Sequence, residues 1–186
     1  YDAVGGGGDA ELSARIEAAR LRLRRGEVER ALEDARRARQ LAPGSDGTAA
    51  LLVEVLLAQG DEASGRRALE LIPSLPDEPR RLLLEGRAWL AAGVPDSAVA
   101  PLEEAVRSAP KQPDGVYELG RTFLAQHRWL LASRALSMVA SLDPPYADSQ
   151  YLWSEALRGL GRTDLADSVQ AEWESTRRLR RALSVR

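Results

Sequence analysis

Four sets of residues recur along this chain with a single period. Gly26, Gly60, Gly93 and Gly161 lie 34, 33 and 68 residues apart, and His127 fills the slot midway between the last two. Ala31, Gly65, Ala98, Ala132 and Ala166 keep the same beat. So do Leu56, Trp89, Phe123 and Leu157, and so do Pro43, Pro76, Pro110 and Pro144. Ladders in one common register constrain the fold more tightly than composition does. A fixed period of a few tens of residues is the signature of a stacked array, in which each unit buries its apolar face against its neighbours.

Each period reads as helix, short turn, helix. The first helix ends near the turn glycine, where a left-handed backbone costs glycine little. Glu27, Asp61 and Asp164 fall in the first turns of second helices, where a carboxylate complements the helix dipole. The second helix runs to a proline, which lacks an amide donor and disfavours helix in the residue before it. The small residue midway lets the two helices approach closely. The pattern predicts helices over residues 10–25 and 27–41, 46–59 and 61–72, 78–92 and 95–108, 113–126 and 128–141, and 146–160 and 162–184. Apolar spacing agrees: Leu82, Gly86 and Trp89 share one helical stripe, as do Val116, Leu119, Gly120 and Phe123.

Composition removes several function classes. The formal net charge is -2, so no global basic field favours nucleic acid. Cysteine is absent, which excludes disulfides, thiolate catalysis and Cys-based zinc sites. No apolar run is long enough to span a bilayer. There is no Asn, hence no Asn-linked glycosylation, and Lys111 is the only Lys. The Arg, Ala and Leu bias matches a GC-rich bacterial genome. The chain starts at Tyr1 rather than Met, as a fragment of a longer chain or a mature, processed chain would. A processed start and the lack of Cys favour an exported bacterial protein over a cytoplasmic one.

The third period carries Leu82, Gly86, Trp89, Gly93, Ala98, Leu102, Ala105 and Pro110. The fourth carries Val116, Leu119, Gly120, Phe123, Ala132, Leu136, Val139 and Pro144. On these residues the chain resembles the tetratricopeptide repeat (TPR) family. The first copy keeps Ala19, Gly26, Ala31, Ala38 and Pro43 but has Arg22 in the aromatic slot. The second is degenerate, with Gly65 in the small slot and one residue deleted before Pro76. The fifth keeps Trp153, Leu157, Gly161 and Ala166, with Trp173 replacing the second Ala. The resemblance implies an all-α, right-handed solenoid of five helix pairs with an extended C-terminal helix. Residues 1–9 read as a flexible Gly-rich arm and residues 10–175 as the array, with repeats near 12–45, 46–77, 79–112, 113–146 and 147–175. Residues 176–186 read as the basic end of the last helix. In that helix Leu165, Val169, Trp173, Thr176, Leu179 and Leu183 form a stripe expected to cap the stack.

Catalytic readings fail on inventory. His127 is the only His and falls in a turn, and no phosphate-binding glycine motif exists, because Gly5 to Gly8 follow no strand. No catalytic, cofactor or metal residues are assigned. In the family, the first helix of each pair lines a groove. That rule selects Ile16, Arg20 and Arg24, then Glu54 and Leu57, then Arg80, Leu83, Arg87 and Leu90. It continues with Tyr117, Arg121 and Leu124, and ends with Tyr151, Glu155 and Arg158. Arg forks and Tyr rings suit an acidic or C-terminal peptide. The alternative is that these arginines pair with neighbours such as Glu85 and Glu118. The family's clamp for C-terminal carboxylates uses Asn and Lys, which this groove lacks. Arg177, Arg178, Arg180, Arg181 and Arg186 make the C-terminal tip basic, either as cations at a helix C-terminus or as an anionic-surface contact. The N-terminal arm is expected to dock on a neighbouring copy, with Tyr1 and Val4 as anchors and the glycines as spacer. Head-to-tail docking of that kind builds rings or filaments. Intramolecular docking and a vector-derived tail are the alternatives.

Overall fold

A computed structural model of the chain describes residues 5–76, 79–142, 146 and 148–184. Among the described residues there are ten α-helices, one short 3-10 turn (Ile72–Ser74) and no strand. The helices are α1 (Gly5–Arg24), α2 (Val28–Leu41), α3 (Asp46–Gln59), α4 (Glu62–Leu71) and α5 (Pro79–Ala91). They continue with α6 (Pro95–Ser108), α7 (Pro113–Ala125), α8 (Trp129–Ala140), α9 (Ser149–Gly159) and α10 (Thr163–Ser184). The expected helix pairs are all present, and their interior ends agree with the sequence reading to within a few residues. Tyr1, Val4 and Pro144 lie outside the described residues.

The turn ladder has a backbone cause. Gly26, Gly60, Gly93 and Gly161 adopt φ of +74°, +75°, +77° and +75°, and His127 adopts +57° in the same slot. In four of these turns the next amide donates back to the carbonyl of the aromatic-slot residue. Glu27 reaches Arg22, Val94 reaches Trp89, Arg128 reaches Phe123 and Arg162 reaches Leu157, at 2.8–3.0 Å. That bond closes the first helix and requires a left-handed residue before it.

The small-residue ladder is equally physical. Ala31, Ala98, Ala132 and Ala166 are fully buried. Gly65 reads as degenerate in sequence, yet a Cβ there would lie 2.5 Å from the Ala92 amide nitrogen and 2.8 Å from the Ala91 carbonyl carbon. The backbones of α4 and α5 meet at this point, so the second copy uses Gly where the others use Ala.

Two compact units divide the chain, Tyr1–Ser97 and Ala98–Arg186. In the first, α1 to α5 pack in order, and the first helices α1, α3 and α5 also touch in order. Its core holds Ala31, Leu32, Leu51, Val53, Val55, Leu56, Ile72 and Leu84. In the second, α7 to α10 pack in order and α7 touches α9. Its core gathers Phe123, Ala132, Leu136 and Ala156, with Trp153 adjoining both this cluster and Leu157, Ala166 and Val169.

Two expectations about the ends change. The arm was expected to stay non-helical through residue 9, but α1 begins at Gly5. Glycine costs about 1 kcal/mol per residue in a helix. Adding one turn to a helix already nucleated by the residues after it requires only propagation. At the other end α10 has 22 residues against 11 in α9, so it outreaches its partner by about 16 Å. Ala166 and Val169 are buried, whereas Leu165 is 44% and Leu179 66% exposed. Among the described side chains the stripe therefore packs on the stack at Val169 and leaves Leu165 and Leu179 to solvent.

Candidate peptide-binding faces

In the first unit the touching helices α1, α3 and α5 carry the expected side chains, but not all of them face solvent. Leu57 is buried and Ile16 packs against the core. Leu83, Leu90 and Arg87 are half-buried. Arg20 is exposed and pairs with Glu17 one turn away at 3.3 Å. Arg24 is exposed and makes no ion pair among the described residues. Arg80 Nη2 reaches Glu54 Oε1 at 2.5 Å, tying α5 to α3. Beside it, Arg81 pairs with Glu85 at 3.0 Å. Between the N-terminal ends of α3 and α5 lies a small cavity of about 80 Å³, floored by Ala50, Leu75 and Leu84 and edged by Arg80 and Arg81.

The second unit brings together a denser cluster. Tyr117 on α7 donates its hydroxyl to Asp148 before α9. In return Tyr146 donates to Asp114 on α7 at 2.5 Å. The two tyrosine rings meet edge to face at 5.1 Å, so two crossed hydrogen bonds and a ring contact lock α7 to the start of α9. Burial, reinforced by the Asp148 carboxylate, pushes the Tyr117 hydroxyl well above its ordinary pKa, which keeps it a donor. Arg121 lies over the Tyr117 ring at 6.0 Å and pairs with Glu118 at 2.9 Å. Leu124 turns toward the core cluster.

On α9, Tyr151 is 41% exposed and contacts Trp173 of α10 at 5.4 Å. Arg158 reaches Asp167 of α10 at 3.0 Å and also donates to Gln170. Glu155 is exposed. Arg177 stacks on Trp173 at 5.0 Å, and Arg178 lies 3.7 Å from Glu174. The side chains of Arg180, Arg181 and Arg186 lie outside the described ones. His127 is exposed, with its ring 4.9 Å from Trp129.

The pairing alternative for the arginines is met in part. Arg121 does pair with Glu118, and Glu85 does take an arginine, though it is Arg81. Sequence reasoning missed Asp114, Tyr146 and Asp148, and placed Trp173 in the capping stripe rather than beside Tyr151. Part of the signal was positional: Asp148 repeats Asp114 one period, 34 residues, later. No group of three or more His, Asp or Glu among the described residues is arranged to hold a metal ion, and no helix among them is long and apolar enough to cross a membrane.

No family model and no curated protein matches the chain by sequence. Solved structures do match its fold. A crystal structure of MamA aligns at 16% identity over 87% of this chain and 88% of that one, with a TM-score of 0.61. Residues 41 to the end of MamA from Desulfovibrio magneticus RS-1 align at 18% identity over 95% and 98%, with a TM-score of 0.63. YrrB, described as a TPR protein with an unusual peptide-binding site, aligns at 17% identity over 83% and 80%, with a TM-score of 0.56. The chain has the tetratricopeptide-repeat fold.

Proposed function

We propose that this chain is a non-enzymatic interaction module whose first-helix faces take carboxylate-bearing peptide segments of other proteins. The observation that carries this reading is the concentration of forks and rings on those faces. Arg20, Arg24, Arg80 and Arg87 lie on α1 and α5, and Arg121 is stacked on Tyr117 of α7. Tyr151 and Arg158 follow on α9. A guanidinium takes a carboxylate bidentately and lies flat on a ring. Glu54, Glu118 and Asp167 hold three of these forks in place when no ligand is bound. The Arg80 and Arg158 pairs are largely exposed and worth about 1 kcal/mol or less, so a ligand carboxylate exchanges with them at little cost, while Arg121, whose Glu118 partner is buried, meets a ligand with its remaining donors. On the first unit, net affinity then comes from exchange at Arg80, from the exposed Arg24 and from the half-buried Leu83 and Leu90. The likeness in fold to a protein described by its peptide-binding site supports a peptide as the ligand class.

The test is an anisotropy titration of the chain with a labelled Glu-rich peptide and its Gln counterpart. The Glu peptide should bind about tenfold tighter, and Arg87→Ala or Arg121→Ala should each weaken it several-fold. Equal binding of the two peptides contradicts the reading.

A second reading, head-to-tail assembly into oligomers or filaments, is favoured by the overhang of α10 with Leu179 66% exposed. An uncapped stack end is a surface on which the next copy can dock. Its proposed anchors, Tyr1 and Val4, can be removed without touching α1. Light scattering should show mass rising with concentration for the intact chain and not for the chain lacking residues 1–4. Monomeric mass for both removes this reading.

A further inference from the structure

The repeat ladders let each second helix serve as a control for the others. Three residues past the turn slot, α2, α4, α6 and α10 carry Glu29, Ala63, Asp96 and Asp164, whereas α8 carries Leu130. Eleven residues past it they carry Arg37, Leu71, Glu104 and Glu172, whereas α8 carries Met138. Leu130 is 54% exposed and Met138 63%. The buried side of α8 is Ala132, Leu136, Val139 and Ala140, and its packing partners are α7 and α9. The apolar pair therefore points away from the packed core. Leu130, Arg134 and Met138 step by four along one side, a stripe about 12 Å long.

Charge sets this helix apart as well. Residues 119–142 contain Arg121, Arg128 and Arg134 and neither Asp nor Glu, while each of the other second helices carries carboxylates. Arg134 is exposed and makes no ion pair among the described residues. An apolar pair bracketing an unpaired cation is incomplete in the isolated chain.

We infer that the outward side of α8 is a second docking surface, distinct from the first-helix faces. Its occupant is an amphipathic helix of another protein, with two apolar residues bracketing a carboxylate on one side. The apolar residues pack on Leu130 and Met138, whose flexible thioether adapts to the partner's shape. The carboxylate meets Arg134. Two alternatives fit less well. Anionic lipid recognition calls for larger basic clusters than one helix with a single arginine and another at its N-cap. Antiparallel pairing with α8 of a second copy sets Arg134 against its own twin.

The test uses the full chain and two labelled helical peptides with Leu at i and i+8 of one side and either Glu or Lys at the polar positions. The Glu peptide should bind about tenfold tighter than the Lys peptide. Leu130→Ser/Met138→Ser should erase most of that binding, and Arg134→Glu should shift preference to the Lys peptide. Arg121→Ala should leave the α8-dependent part unchanged, which separates this surface from the first-helix faces. Circular dichroism of each variant should match the parent, since all three positions are exposed. The inference is overturned if the two peptides bind alike or the double Ser variant binds as the parent does. It is also overturned if that variant instead loses co-sedimentation with phosphatidylserine vesicles, or abolishes a dimer seen in the parent.

Discussion

The first and fourth repeats close on the same turn with opposite chemistry. In the fourth, Phe123 fills the aromatic slot beside Leu136, which is fully buried, and Gly120 sits where a Cβ would come within 2.6 Å of the Leu136 Cγ. In the first, Arg22 occupies the aromatic slot, and Asp34, only 1% exposed, accepts from both Arg22 and Arg15. Glu11 extends the network to Arg37 at 2.9 Å, and the Arg37 guanidinium holds the Glu11 carboxyl below its usual range. Both turns nonetheless carry a left-handed residue and the same closing amide-to-carbonyl bond. The fold demands a few backbone conformations and small side chains at contact points, and it leaves the chemistry of the remaining slots free. That freedom is what allows the two ends of the array, and α8, to present different surfaces.

The comparison breaks most visibly at Leu136. Leu136→Ala should cost about 3 kcal/mol in urea denaturation, as truncation of a fully buried Leu does. Gly65→Ala comes next, at about 2 kcal/mol, because its Cβ meets backbone that no side-chain rotation can relieve. Asp34→Ala should cost a similar or smaller amount, about 2 kcal/mol, since its arginine partners are partly exposed and can turn to water. The double variant Arg22→Leu/Asp34→Ala sharpens the comparison. It gives the first repeat an apolar slot and should cost less than the sum of the two single changes in a double-mutant cycle.

A smaller effect is expected at His127. His127→Gly removes a left-handed strain of about 1 kcal/mol but loses the ring contact with Trp129, for a net gain of about 0.5 kcal/mol. A lower Tm for this variant would show that the ring contact dominates. The smallest effect is at Asp61, whose carboxylate accepts the Ser64 amide at 2.9 Å and caps α4. The Ser64 amide, with help from the Ser64 hydroxyl, lowers the Asp61 pKa. A depressed folded pKa stabilises above the unfolded value, about 3.9, and the benefit is lost as pH falls through the folded one. Thermal scans in acid should show that loss for the parent and a flatter profile for Asp61→Asn.

Turn and small-residue slots were legible because a positive φ or a backbone contact leaves few residue types that fit. Gly65 looked like decay of the pattern because one sequence does not show that α4 and α5 touch there. Arg22 looked like a missing aromatic. The compensating signal was Asp34 in the slot held by Ala68, Ala135 and Val169 in other copies. The face residues were less legible. Arg80 finds Glu54 across 26 residues, and Leu57 turns inward, because side-chain direction depends on packing between helices that periodicity does not encode. The exposed pair on α8 was hidden for the opposite reason: Leu and Met on a helix read as core until burial shows otherwise.

The most direct measurement of the functional account is NMR of the arginine Nε–Hε groups as the Glu-rich peptide is added to the intact chain. The account predicts that signals of Arg20, Arg24, Arg87 and Arg121 shift in proportion to occupancy, and that the Gln peptide leaves them in place. Signals that stay fixed with the Glu peptide bound, or shift equally with the Gln peptide, would contradict it.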